Sequence, residues 1–204
     1  MLADEFRSSP SGGRRLQGMA VSRSDTARDR LEAWLIERGD HLAGTVLDVG
    51  TPRHARRWIR VPRITLDVGT LGNPDLVADI EDIVGVGDGT FGSVVCTEVL
   101  EHVRHPDRAL AELRRVTRDG GTLLVSVPWL YPFHPCPLDL RRFTLQGLRL
   151  AVEEAGWVVD EAEGLPLPPE ALEHLIAAVK LTTGGRCPNP TSLNASNWVI
   201  RAHR

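Results

Sequence analysis

Three carboxylates stand at or near the ends of short apolar runs in the first half of this chain. Asp48 lies in Val46-Leu47-Asp48-Val49-Gly50, Asp67 in Ile64-Thr65-Leu66-Asp67-Val68, and Asp79 in Leu76-Val77-Ala78-Asp79-Ile80. Asp67 follows Asp48 by 19 positions, close to the spacing of roughly 20 at which a strand-end carboxylate reaches a nucleotide ribose. An ionised carboxylate accepts from both ribose hydroxyls more strongly than a neutral side chain does. Aspartates also cap turns, and that structural alternative stands beside the binding one. The loop after Asp48, Gly50-Thr51-Pro52-Arg53-His54-Ala55-Arg56, holds a single glycine. A dinucleotide fold needs several there so that backbone N–H groups can cradle pyrophosphate, which argues against NAD or FAD.

A second group of residues could move a proton. His134 sits in a loop stiffened by Pro132, Pro135 and Pro137, and Asp139 follows five positions later. His134 as a general base oriented by Asp139 is one reading; a His–Asp pair pinning the loop is the other. His102 is a second candidate. Glu98 lies four positions before it and would share a helix face with it, although a structural role at that helix's carboxyl end is the stronger reading. Arg141 and Arg142 are candidates to grip an acidic group, or to pack their stems in a solvated loop. Trp129 and Tyr131 would form an apolar acceptor wall or pack against a neighbouring helix. His134, Cys136 and Cys187 match no usual zinc spacing, so no metal is expected.

Alternating strands and helices must position these groups. Residues 1–23, rich in Ser, Gly and Arg, read as a flexible arm preceding one domain over 24–204, with Met19 an alternative start to Met1. Ser24 caps a first helix with Ala27, Leu31, Trp34 and Leu35 on one face, ending near Gly39. Strands are predicted over Thr45–Val49, Ile64–Val68, Leu76–Ile80, Phe91–Thr97, Thr122–Val127, Trp157–Glu161 and Asn197–Ala202. Helices are predicted over Glu98–Val103, Pro106–Thr117, Thr144–Ala155 and Pro169–Leu181. The first crossover, before Ile64, has room for only a turn or two of helix. The alternation implies an α/β fold with a mostly parallel sheet covered on both faces. Ligands then bind at the carboxyl ends of the strands, where strand order reverses.

The bulk numbers agree with one globular domain. The chain has 204 residues, 42% apolar and 25% charged, with a net charge of -3. Such a charge carries no basic field for nucleic acid. Three cysteines are too few and too irregular for a secreted disulfide framework, and neither a signal core nor a spanning run is visible. A cytoplasmic protein is expected. Its partner would be a small-molecule substrate rather than a membrane or nucleic acid, and a homodimer is left open. The sequon Asn194-Ala195-Ser196 is expected to have no role.

Taken in order, these motifs resemble the class I S-adenosylmethionine-dependent methyltransferases, and most closely the methyltransferase-11-like branch. The resemblance rests on Val46–Gly50, Leu66-Asp67, Val77-Ala78-Asp79-Ile80, and Phe91–Thr97 followed by Glu98-Val99-Leu100-Glu101-His102. It continues through Ala109–Val116 with Gly120-Gly121-Thr122-Leu123-Leu124, and through His134-Pro135-Cys136-Pro137-Leu138-Asp139-Leu140-Arg141-Arg142-Phe143-Thr144. It implies a Rossmann-like three-layer sandwich of seven strands, the last antiparallel between the fifth and sixth. It also implies S-adenosyl-L-methionine as cofactor. Asp48 and Gly50, with Thr51 in the loop after them, would hold the methionine end, Asp67 the ribose, and Asp79 and Ile80 the adenine. Cys96 would lie beside the cofactor. The activity implied is methyl transfer to a hydroxyl or amine of a small molecule, such as a sugar or secondary metabolite. The chain departs from the family at Pro52 and His54, where further glycines are usual. A proline ring and a Cβ restrict close backbone approach, so the alternative is a methyltransferase-like chain that has lost catalysis and serves as a partner or scaffold.

Overall fold

The computed structural model describes residues 26–50, 56, 58–135, 138–167, 171–173, 175–177 and 195–204. The predicted arm over 1–23, Ser24, Thr51, Cys136, Cys187 and the Asn194 of the sequon lie outside these residues. Helix α1 (Ala27–Arg38) begins at Thr26, whose side chain accepts from the Asp29 amide while the Asp29 carboxylate accepts from the Thr26 amide. This reciprocal pairing satisfies two of the orphan donors of the first turn. It places the cap at Thr26 rather than Ser24, because only Thr26 has a carboxylate three residues on. Leu31, Trp34 and Leu35 form the buried face of α1, and Gly39 ends it as expected.

Seven strands follow: β1 (Val46–Val49), β2 (Arg63–Asp67), β3 (Leu76–Val77), β4 (Phe91–Thr97), β5 (Thr117–Pro128), β6 (Val158–Leu165) and β7 (Asn197–His203). They pair in the order β3-β2-β1-β4-β5-β7-β6. The first five run parallel, and β7 lies antiparallel between β5 and β6. This is the expected seven-stranded sheet with its inserted antiparallel strand. Helices α2 (Pro106–Val116) and α3 (Leu145–Glu154) complete the regular elements. Residues 171–173 and 175–177 are helical, within the predicted Pro169–Leu181 helix. No helix among the described residues is long and apolar enough to cross a membrane.

The strand period of two sorts the core into two layers. Val46, Val95, Leu124 and Val199 face α1 and pack with Leu31, Trp34 and Leu35. Leu47, Val49, Val94, Cys96, Leu123, Val125 and Ile200 face the other way, against Leu110 and Leu113 of α2 and Leu148 and Val152 of α3. Side chains buried this completely each contribute roughly 1.5–3 kcal/mol, which is what holds helices on both faces. The same alternation puts Asp48 on the α1 side of β1.

Beyond the earlier start of β5, at Thr117 rather than the predicted Thr122, three predictions need correction. Residues 98–103 form turns rather than a helix. Glu98 has φ 55, a left-handed conformation that an α-helix does not admit, so Glu98 and His102 do not share a helix face. Strand β3 stops at Val77 because Asp79 accepts from the Glu81 amide at 2.9 Å, turning the chain. Strand β6 runs on to Leu165, past the predicted Glu161, because β7 pairs along its whole length.

Candidate active site

Strand order reverses between β1 and β4, where Val49 pairs with Cys96. The chain leaves β1 through Gly50, at φ 76. A Cβ there would stand 2.4 Å from Val99 Cγ2, so backbone angle and packing both require glycine. Asp48 is fully buried. Its carboxylate accepts from Arg56 Nη1 at 2.5 Å and from Arg63 Nη1 at 3.2 Å, while Arg56 Nη2 reaches Thr97 Oγ1 at 2.5 Å. Burial pushes the Asp48 carboxyl above the ordinary range, and the two guanidinium groups oppose that shift. Arg56 is itself 11% exposed. Nothing in the sequence pattern marked it as a partner of the strand-end aspartate.

Asp67 ends β2, and its Oδ1 accepts from the Gly69 amide at 2.9 Å. Its Oδ2 accepts no hydrogen bond among the described residues. Asp79 stands past β3 with Ile80 buried behind it. The three carboxylates therefore follow the edge β1, β2, β3 in order. Cys96 is fully buried, facing the α2 side of the sheet and away from Asp48. Burial there pushes its thiol far up, so it is a neutral wall rather than a nucleophile.

A second cluster forms beyond the ends of β4 and β5, built by two loops fastened together. Arg141 donates to the carbonyls of Leu100 (3.3 Å), Val103 (2.5 Å) and Arg104 (3.0 Å), and the Leu140 amide donates to Glu101 O at 2.9 Å. Arg142 grips Asp139 with both Nη1 and Nη2, the latter at 2.8 Å, and also reaches the carbonyls of Tyr131 and Pro132. Both arginines are thus spent inside the chain. Neither is free to hold an acidic substrate group, because a guanidinium engaged by a carboxylate or several carbonyls has few donors left.

This fastening brings His102 and His134 together, ring centroids 5.1 Å apart and edge to face. The Asp139 carboxylate accepts from the His134 amide at 3.0 Å and lies 3.2 Å from His134 Nδ1. The Arg142 hydrogen bond holds that carboxyl well below the usual range. His134 Nδ1 also donates to Pro132 O at 3.0 Å, and His102 Nδ1 donates to Leu138 O. Sequence reasoning found these three residues but missed the one on which they converge. Glu101 is 0% exposed, and its Oε1 lies 3.4 Å from His102 Nε2 and 3.9 Å from His134 Nε2. Neither of its carboxylate oxygens accepts a hydrogen bond among the described residues. Burial, and then the neighbouring Glu98 carboxylate, push Glu101 up to about 8. Glu98 has its own partners, Ser126 Oγ at 2.6 Å and Asn197 Nδ2 at 2.9 Å. In the sequence Glu101 stood out only as part of the Glu98–His102 stretch of the resemblance, with no role attached to it.

An apolar rim surrounds the cluster. Tyr131 sets its edge against His134 with centroids 5.0 Å apart and is 54% exposed, and Phe133 is 73% exposed. Trp129 instead packs on Trp198, centroids 5.7 Å apart, and belongs to the core wall.

A family model described as a methyltransferase domain matches residues 41–125. A protein of Mycobacterium avium (strain 104), described as an uncharacterized methyltransferase, is 30% identical over 171 residues, covering 76% of this chain and 66% of the relative. The chain therefore spans just under two thirds of that relative's length. A SAM-dependent methyltransferase from Archaeoglobus fulgidus superimposes with a TM-score of 0.65 at 14% identity, covering 87% of this chain and 94% of the other. The (4+2)-cyclase SpnF gives 0.62 at 19% identity, covering 89% of this chain and 84% of the other. These two likenesses establish the fold.

Proposed function

This chain belongs to the class I S-adenosylmethionine-dependent methyltransferases, and on that premise we propose that it transfers a methyl group to a hydroxyl or amine of a small molecule. S-adenosylmethionine is the family's cofactor, and the residues present fit it. Asp67 offers a carboxylate oxygen with no hydrogen bond among the described residues, at the end of β2, where a ribose would be held. Asp79 and Ile80 follow for the adenine, and Gly50 gives the close turn at the methionine end, with Thr51 beyond it. Cys96, near the end of β4, would lie beside the cofactor as a neutral group. When bound, the cofactor supplies an electrophilic methyl on a sulfonium sulfur, leaving alignment, water exclusion and proton handling to the protein.

The observation that carries the acceptor side is the convergence of His102, His134 and Asp139 beyond β4 and β5, next to the switch point. His134 has its Nδ1 engaged by Pro132 O and Asp139, so Nε2 is the nitrogen that takes the acceptor's proton. The rim of Tyr131 and Phe133 favours an acceptor with an apolar body beside its hydroxyl or amine. The test is release of S-adenosylhomocysteine when the chain is incubated with cofactor and a panel of such acceptors. His134→Ala is expected to lower turnover by about 10²–10⁴-fold while cofactor affinity stays within a few-fold. Equal turnover in the variant would remove His134 from the reaction.

One observation favours a second reading, in which the chain keeps the fold as a partner or scaffold without turnover. Arg56 and Arg63 already occupy the Asp48 carboxylate at the methionine end. That reading requires that the cofactor fail to displace Arg56, and a binding measurement separates the two.

A further inference from the structure

We propose that Glu101, His102 and His134 form a binding site for a single divalent transition-metal ion of the zinc or manganese class. Their potential ligand atoms all lie within 4.8 Å of one another. A carbonyl oxygen can only accept, so the Nδ1 atoms facing Leu138 O and Pro132 O must carry hydrogen. In the neutral imidazoles each Nε2 is then a bare lone pair, and the two nitrogens lie 3.4 and 3.9 Å from Glu101 Oε1. With Glu101 ionised, three electron-rich atoms stand close together, and no cationic group among the described residues lies between them. Both oxygens of this fully buried carboxylate lack a hydrogen-bond donor among the described residues. Buried carboxylates are otherwise paired, hydrogen-bonded or bound to metals.

An ion completes the arrangement. Ligands bound at about 2.0–2.2 Å in tetrahedral or octahedral geometry stand roughly 3–3.6 Å apart, and the two nitrogen–oxygen separations need little adjustment to reach that. Two imidazoles and one carboxylate with open positions are a donor set suited to zinc, manganese or ferrous ions rather than to calcium. The surroundings already provide the orienting contacts that such ligands need. The Leu138 and Pro132 carbonyls and the Asp139 carboxylate hold the imidazoles by their far nitrogens, fixing tautomer and direction. Arg141 and the Leu140 amide lock the two loops that carry the ligands. His102 and His134 side chains are 18% and 31% exposed against 0% for Glu101, so the open coordination positions face solvent. An oxygen of the acceptor would reach the ion from that side. The three ligands lie outside the proposed cofactor site, but with the ion bound His134 Nε2 takes no proton; the base role proposed above belongs to the metal-free chain, and turnover with and without added metal separates the two.

The experiment uses the full chain without S-adenosylmethionine. After chelation and desalting, Zn²⁺, Mn²⁺ and Co²⁺ are titrated separately, with bound metal measured by mass spectrometry and the Co²⁺ absorption spectrum recorded. The expected result is one ion per chain and a cobalt spectrum with nitrogen ligands. Glu101→Gln and His134→Ala should each weaken binding at least 100-fold, while His203→Ala, at the carboxyl end of β7 and paired with Asp160, leaves it unchanged. Glu101→Gln keeps the side chain's shape, and His134 is on the rim, so a thermal melt of each variant shows whether loss of metal is local. Binding below one ion per chain, or binding equal in His134→Ala and the unaltered chain, overturns the proposal. Failure here leaves cofactor binding untouched, and calorimetry with S-adenosylhomocysteine reports on that separately.

Discussion

Asp48 carries two burdens, a fully buried charge and a position at the methionine end of the proposed cofactor site. Arg56 and Arg63 share its compensation. Breaking a buried pair outright costs about 3–5 kcal/mol because the remaining charge is left uncompensated. Arg63 remains after Arg56→Ala, so the expected loss is smaller, about 1–3 kcal/mol, read as a lowered midpoint in a denaturant melt. An unchanged midpoint would mean that the Arg56 contact contributes nothing net. The strand-end aspartates were legible because each sits in an apolar run of strand length, a local pattern. Glu101 was not, because its burial depends on Arg141 and Leu140 docking from almost forty positions away. For Arg141 and Arg142 the two readings stayed open for the same reason: sequence shows that a guanidinium is present but not which carbonyls and carboxylate surround it.

At the scale of elements, the turn over residues 98–104 decides the geometry of the acceptor side. Its three carbonyls are held by one guanidinium. Arg141→Met keeps most of the stem but leaves those carbonyls without their donor, at a cost of about 1–3 kcal/mol. It should also free His102, so that its NMR signal broadens or shifts while the β1 region is unaffected. Gly50→Ala acts on the other half of the site. A non-glycine residue held at such a backbone angle costs about 1–3 kcal/mol before any clash with Val99 is counted, and a melting temperature unchanged by this substitution would contradict the turn described. Strand β4 was read residue for residue because its apolar centre, Val94–Cys96, is bounded by the turn residues Asp88-Gly89-Thr90 on one side and the charged Glu98 on the other. The helix over 98–103 was misread because four-residue spacing of Glu98 and His102 fits a helix, while the left-handed Glu98 is invisible to periodicity. The shortened β3 reflects the same limit, since an aspartate that turns the chain looks identical to one that ends a strand.

For the whole molecule, the sheet order and its inserted antiparallel strand place both halves of the proposed site on one edge, with Asp48, Asp67 and Asp79 on one side of the switch point and the histidine cluster on the other. Order of elements and the class of fold were readable because alternating strand and helix patterns leave few topologies that obey right-handed crossovers. What the chain binds at that edge is the central claim. Isothermal titration calorimetry with S-adenosylhomocysteine tests it most directly, on the unaltered chain and on Asp67→Ala. The account predicts one site per chain and at least ten-fold weaker binding in the variant, about 1.4 kcal/mol or more of lost ribose contact. No heat of binding at millimolar ligand would contradict it, and equal affinity in Asp67→Ala would show that the ribose is held elsewhere.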